Sequence, residues 1–231
     1  GLVLIFMIIT SLNVLNLDYE FDTVKSFPED LPSRVGYEIV ESRFDKGELA
    51  PTSLLVESKQ ALTEEQQLAL TESLLKEDMI ASVRPSAISE DGTMAKLSMA
   101  FELNPYSPEA IDKLEEMRDK SADYLKEAGI DGELLFAGTT AKLVDERNVN
   151  NADIYKIVLL ETLLILVLLF VLTRSWKMPI YMMATILVSY LSALGLGLFL
   201  VDVLFGYDAI STRVPVYAFI FLVALGIDYN I

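Results

Sequence analysis

Four stretches of the chain carry almost no charge. Gly1–Leu17 is apolar apart from small polar residues and Asn13 and Asn16, and Ile154–Thr173 holds only Lys156 and Glu161 as charges. Ile180–Val201 holds none, and Val214–Ile231 holds only Asp228. A bilayer core about 30 Å thick needs about 20 such residues at about 1.5 Å of rise each. The pattern predicts membrane-spanning helices at 1–17, 154–173, 180–201 and 214–231, the first and last cut short. A cleaved signal peptide fits the first stretch less well, because a basic start and an A-x-A-like cleavage site are missing. A natural end inside an apolar helix would leave its carbonyls unpaired in hydrocarbon, so the chain is expected to be a piece of a longer protein.

Residues 18–153 have a different texture, with apolar positions recurring at strand-like and helix-like periods. Thr52–Ser58 reads as a strand, and Thr63–Glu77 as a helix opened by a capping box in which Thr63 caps and Gln66 reaches back. Ile80–Ser86 and Met94–Leu103 read as strands joined through Glu90-Asp91-Gly92, since Asp-Gly favours a hairpin turn. Ser107-Pro108-Glu109 supplies a capping serine, a proline at the first helical position and an early acid. The helix it opens carries Ala110, Leu114, Met117 and Leu125 as its apolar stripe and stops at Gly129. Glu133–Ala137 is the last strand. The order is βαββαβ, the ferredoxin-like plan of four strands with two helices on one face. Pro32–Phe44 adds a helix before it, with Val35, Ile39 and Val40 on one side, and Thr139–Asn151 leads helically into the second span. The fold class is therefore a membrane α-helical bundle plus an α+β domain.

Charge sharpens the division. The chain is 52% hydrophobic and 23% charged, yet residues 18–153 hold 14 Lys plus Arg against 30 Asp plus Glu, which is all of the net charge of −16. The short loop Arg174–Pro179 has two positive charges and no negative one, so the positive-inside rule places it in the cytoplasm. Residues 18–153 and 202–213 then lie outside, and Trp176 sits at an interface that suits its amphipathic ring. The acidic balance offers no basic stripe for nucleic acid. The chain contains no cysteine or histidine. Disulfide and thiolate chemistry are thus absent, a zinc site would need carboxylates alone, and no cofactor is expected.

Asp228 is the most informative single residue. It lies about 21 Å of helical rise beyond Val214, where an ionised aspartate costs about 2.5–3.5 kcal/mol. Such a carboxyl can be neutral, take up a proton from one side and release it to the other. The alternative is a carboxyl satisfied by a hydrogen bond between helices, with no transport role. Tyr229 follows directly, and Ala224 and Gly226 leave room for close helix approach. Glu161 is a second intramembrane acid, about 10 Å below the outer end of its helix. It faces a wet cavity, pairs across the bundle or snorkels to the interface. Gly195 and Gly197, with Ser189, Ser192 and Ala193, give the third span a small-residue packing side. Pro215 fits the first turn of the last helix.

These residues resemble the MMPL family, a branch of the resistance-nodulation-division (RND) superfamily of exporters. Its repeat is one transmembrane helix, a porter domain, then further helices, which is the order found here. The loop R-S-W-K-M-P-I-Y of Arg174–Tyr181 is similar to that family's arginine-serine and proline-tyrosine turn. V-P-V-Y-A-F-I-F-L-V-A-L-G-I-D-Y-N-I of Val214–Ile231 closely resembles its proton-relay helix, in which an aspartate-tyrosine pair matches Asp228 and Tyr229. F-P-E-D-L-P-S and F-D-K-G-E-L-A-P-T in the outer domain have the same look. The resemblance implies an RND-type bundle with a porter domain in a bacterial cell membrane, and export of lipids or other hydrophobic or amphipathic molecules driven by proton influx. It also implies a second repeat with a facing relay pair, and no enzymatic activity. Asn230 after the pair is more similar to the second repeat of Gram-positive members, which would make these spans helices seven to ten of twelve.

Two other classes remain open. A sterol-sensing-like protein shares the helix arrangement without pumping, and a SecDF-like translocation partner combines porter-type domains with intramembrane acids. An intramembrane aspartyl protease needs two aspartates sharing a site, and no other span supplies one.

Overall fold

The computed structural model describes the chain outside Ser26, Asp208 and Ile231, and at Asp18 and residues 227–230 it describes the backbone alone. In chain order the elements are α1 (Leu2–Ser11), β1 (Asp18–Tyr19), α2 (Pro32–Arg43), β2 (Thr52–Ser58), α3 (Glu64–Leu75), β3 (Ile80–Ile88) and β4 (Met94–Phe101). There follow α4 (Pro108–Asp119), α5 (Ser121–Glu127), β5 (Gly132–Ala137), α6 (Thr139–Thr173), α7 (Lys177–Phe205), β6 (Ala209–Ile210) and α8 (Val214–Asn230). They divide into two compact units, one of residues 21–148 and one of residues 1–20 with 149–231.

The unit of residues 21–148 is built on an antiparallel sheet in the order β3-β4-β2-β5. Period-2 alternation sends Leu54 and Val56 to the same face as their cross-strand partners Leu97 and Ala95 on β4 and Phe136 and Leu134 on β5. That face is covered by α3, α4 and α5, whose Leu70, Leu74, Ile111, Leu114, Met117, Tyr124 and Leu125 join one core with the strands. Each such aliphatic side chain contributes about 1.5–3 kcal/mol on burial. Pro85 is accommodated because β3 is an edge strand with a register shift beside it.

The local signals act as expected at several ends. Thr63 accepts from the Gln66 N–H while the Gln66 side chain accepts from the Thr63 N–H, a complete capping box. Ser107 caps α4 by accepting from the Ala110 N–H, with Pro108 in the first turn. Gly92 takes a φ of 72° in the β3–β4 turn, where Asp91 accepts from the Thr93 N–H and the Ser89 hydroxyl. The helix expected to run unbroken to Gly129 is instead two, α4 and α5, separated at Lys120.

The helix α2 departs from its apolar pattern. Val35, Ile39 and Val40 are exposed, whereas the polar side carries the contacts. Tyr37 donates to Asp22 Oδ2 at 2.5 Å, and Asn104 Nδ2 donates to Tyr37 at 2.9 Å and to Glu41 at 3.2 Å. Asp22 and Asn104 are buried, so these bonds offset the desolvation of both groups. Burial first, and then the Asp22 hydrogen bond, push the Tyr37 hydroxyl well above the usual tyrosine range. The first turns of α6 also belong to this unit, with Ala141 and Val144 in its core and Arg147 paired to Asp112 and, at 2.6 Å, to Glu115.

In the other unit α6 and α7 are long and apolar enough to cross a membrane, and Leu2–Asn16 and Val214–Gly226 are shorter apolar helices. The helical lead and the second expected span form one uninterrupted helix of 35 residues. The third expected span is longer than its uncharged stretch, because α7 starts at Lys177 and closes at Gly206 with a φ of 67°. A parallel pairing of β1 with β6, Asp18 beside Ala209 and Tyr19 beside Ile210, was not expected from the sequence. Two residues per strand are too few to show a period.

Candidate functional site

The site is built on α8, α7 and the second half of α6. An all-apolar helix has no preferred core face by composition, so packing selects one. On α8 that face is Phe219 and Val223, which join Ile165 and Leu169 of α6 and Met182, Met183 and Ile186 of α7 in one buried cluster. Tyr190 fastens the start of α8. Its hydroxyl donates to the Pro215 carbonyl at 3.0 Å, and its ring meets Phe219 edge-on with centroids 5.2 Å apart. Proline lacks an N–H but keeps its carbonyl, and here that carbonyl becomes the anchor.

Gly226 lies two turns beyond Phe219 on the packed side. A Cβ there would come within 3.0 Å of the Ile186 side chain, closer than side chains pack without moving. The backbone stays helical through Asp228, Tyr229 and Asn230, and the side chains of Asp228 and Tyr229 lie outside the described residues. The helical period puts position 228 on the line of Tyr217, Phe221 and Ala224. All three are exposed.

Glu161 is half-buried and stands one turn before Ile165 on the stripe Glu161, Ile165, Leu169, the face by which α6 joins the cluster.

The small residues of α7 are distributed unevenly. Gly195 receives α1, since a Cβ there would overlap the Thr10 carbonyl oxygen. Beside it the hydroxyls of Thr10 and Ser192, both buried, meet at 2.8 Å. Gly197 has nothing within 4 Å of where a Cβ would be, and Ala224 is exposed. Sequence reasoning passed over Thr10, one of two adjacent hydroxyl residues, with Ser11, in an apolar run.

Two clefts open near the polar ends of these helices, and sequence reasoning singled out neither. One of about 220 Å³ is lined by Asn150, Asp153, Ile154 and Ile157 of α6 and by Thr212, Arg213, Val216 and Tyr217 around the start of α8. The other, of about 240 Å³, lies among Asn13, Asn16, Leu198, Phe199, Asp202, Tyr207 and Ile210. Both mix apolar walls with a few charged or amide groups, a composition suited to amphipathic molecules. Among the described residues no group of three or more acidic side chains is placed to hold a metal ion.

Comparison with known proteins is consistent along the chain. A family model described as "MMPL family" matches residues 26–231. The chain is 35% identical over 219 residues to the apo-petrobactin exporter of Bacillus anthracis, covering 93% of this chain and 29% of that protein. It is 32% identical over 231 residues to a putative membrane protein of Streptomyces coelicolor, covering 99% of this chain and 27% of that protein. It is 29% identical over 157 residues to the sulfolipid-1 exporter of Mycobacterium tuberculosis, covering 68% of this chain and 14% of that protein. The chain thus spans less than a third of the length of each of these relatives.

Proposed function

This chain belongs to the MMPL family, and from that premise we propose that it forms part of a proton-driven membrane exporter, with Asp228 and Tyr229 of α8 as its proton relay. The observation that carries the proposal is the two-sidedness of α8. One side is packed against α6 and α7 through Phe219, Val223 and Gly226, and the other, with Tyr217, Phe221 and Ala224, is exposed. Position 228 falls on that second side. It is therefore available to a facing relay helix from a second repeat, the arrangement the family resemblance implies. One elementary charge moving down 100 mV supplies about 2.3 kcal/mol, enough to bias a helix rearrangement once per proton.

In this reading residues 18–153 form the extracytoplasmic domain, a ferredoxin-like porter. Its strand order and the helices on one face support that. Residues 1–17, 154–173, 180–201 and 214–231 supply the spans, and the loop 174–179 is cytoplasmic. The cargo is amphipathic, a lipid or a comparably mixed small molecule. A relative named as the exporter of sulfolipid-1 supports that class, and one named as the exporter of apo-petrobactin supports export itself.

The test is export by the full-length protein in proteoliposomes with an imposed proton gradient. Asp228→Asn is expected to lower gradient-driven export at least tenfold while leaving the protein folded, and Asp228→Glu to retain part of it. Wild-type export by the asparagine variant sinks the relay.

A further inference from the structure

The turn between α6 and α7 holds a group of side chains that neither the relay nor the helix packing uses. Thr173 ends α6, and its hydroxyl donates to the Leu169 carbonyl at 2.8 Å. Arg174 then takes a φ of 50° while its N–H still bonds the Phe170 carbonyl at 3.0 Å. A non-glycine residue held at positive φ costs energy and persists only where its surroundings impose it, so this turn is set and not a loose tether. Trp176 follows with its ring 4.7 Å from that of Phe170, yet 78% exposed. Arg174 and Lys177, on either side of it, are exposed as well.

The charge environment is one-sided. From residue 162 to residue 201 these two are the only charged residues, and the nearest acids along the chain are Glu161 and Asp202. Neither cation has an ion-pair partner among the described residues. The flanks are exposed and apolar, with Val171 and Leu172 before the turn and Met178 and Ile180 after it.

We propose that the turn of residues 174–177 is a binding site for the headgroup of an anionic phospholipid. Arg174 takes the phosphate in its two-pronged geometry, Lys177 adds a second positive charge, and Trp176 lies at the level of the glycerol. A membrane lipid is the ligand, and not free phosphate, because the apolar flanks need hydrocarbon on both sides and so bring the cations to headgroup depth. The inference rests on the reading that α6 and α7 cross the bilayer. It adds to that reading a lipid preference that general interfacial placement does not require.

The experiment places the full-length protein in nanodiscs of phosphatidylcholine mixed with phosphatidylglycerol and measures retained lipid by native mass spectrometry. The wild type is expected to retain phosphatidylglycerol preferentially. R174Q/K177Q is expected to bind it roughly thirtyfold more weakly, the effect of removing two charges near an anionic surface. R174K/K177R keeps the charges and is expected to keep most of the preference. Brominated phosphatidylglycerol is expected to quench the wild-type tryptophan emission more than that of W176F. Equal retention of the two lipids by the wild type, or a preference undiminished in R174Q/K177Q, overturns the proposal. Labelling of S175C with an impermeant maleimide tests the underlying placement separately. Reaction only after cells are permeabilised supports the cytoplasmic placement, and reaction in intact cells overturns it, whatever the nanodiscs show.

Discussion

The hydroxyls of Thr10 and Ser192 meet at 2.8 Å between α1 and α7, one turn from Gly195, where the Thr10 carbonyl occupies the space a side chain would fill. The polar bond and the steric gap make separable contributions. Hydrogen bonds between membrane helices contribute about 0.6 kcal/mol on average and up to about 1.7 kcal/mol. Ser192→Ala is therefore expected to lower the stability of the full-length protein in detergent only slightly. Gly195→Leu must push α1 away and is expected to lower the melting temperature by much more. A leucine tolerated there without loss would show that α1 does not pack at this place.

Much of residues 21–148 was legible in the sequence because its elements have ends. Thr63, Ser107, Asp91-Gly92 and Gly129 each mark a boundary by a local hydrogen bond or a required φ, and β2 falls at Thr52–Ser58 as its alternation predicts. The membrane unit was legible in a different sense. Uncharged runs locate its helices, but a run that is apolar all round says nothing about which face is packed. That is why Gly195 and Gly197, alike in sequence, differ in the structure, and why Thr10, Tyr190 and the two clefts were not legible. On α2 periodicity marked the apolar side, yet the contacts run through Tyr37 and Glu41, because buried Asp22 and Asn104 need polar partners more than exposed Val35 needs cover.

Glu77 gives the unit of residues 21–148 an acid-sensitive tie. Its carboxylate accepts from Lys113 at 2.6 Å and from Tyr124 at 2.8 Å. Burial works to raise its proton affinity, but the bonds from Lys113 and Tyr124 and the charges of Lys113 and Lys120 outweigh it and hold the group below its usual 4.5. A depressed carboxyl stabilises the fold above its unfolded value, and that contribution is lost as pH falls through the folded value. Stability of the wild type is thus expected to fall below about pH 4.5, and Glu77→Gln to flatten that acid limb while lowering stability at neutral pH. Hydrogen exchange of the α4 and α5 amides against pH measures both. Parallel acid limbs in the two proteins would show that the tie carries no linkage.

Two glycines are expected to respond oppositely to alanine. Gly36 lies inside α2 with nothing within 4 Å of a new Cβ, so Gly36→Ala should gain about 0.5–1 kcal/mol from helix propensity. Gly47 is buried, and its Cβ would overlap the backbone of Phe101 on β4. Gly47→Ala must therefore displace the strand and is expected to cost more than about 1 kcal/mol. Thermal unfolding of the two variants, followed through the unit of residues 21–148, distinguishes the cases. A shift of the same sign in both would contradict the geometry.

The approach of α8 to α7 at Gly226 connects packing to the proposed relay, and a compensating pair of substitutions tests it. The obstacle to a larger residue is the side chain of Ile186, at 3.0 Å from an added Cβ, and not backbone. A side chain can give way, so Gly226→Ala should be mild. Gly226→Leu brings more volume than one rotamer change absorbs and is expected to move the α8 segment that carries Asp228. A displacement of about 1 Å at a reacting group can lower a rate a hundredfold, so gradient-driven export should fall by one to two orders of magnitude, roughly, with much of the fold intact. Ile186→Ala empties the same space, at about 2–5 kcal/mol when made alone. Combined with Gly226→Leu it should restore part of both stability and export, giving a coupling energy of about 0.5–3 kcal/mol in a double-mutant cycle. Additive losses would mean that positions 186 and 226 act independently, and the packed side of α8 would then have to be sought elsewhere on the helix.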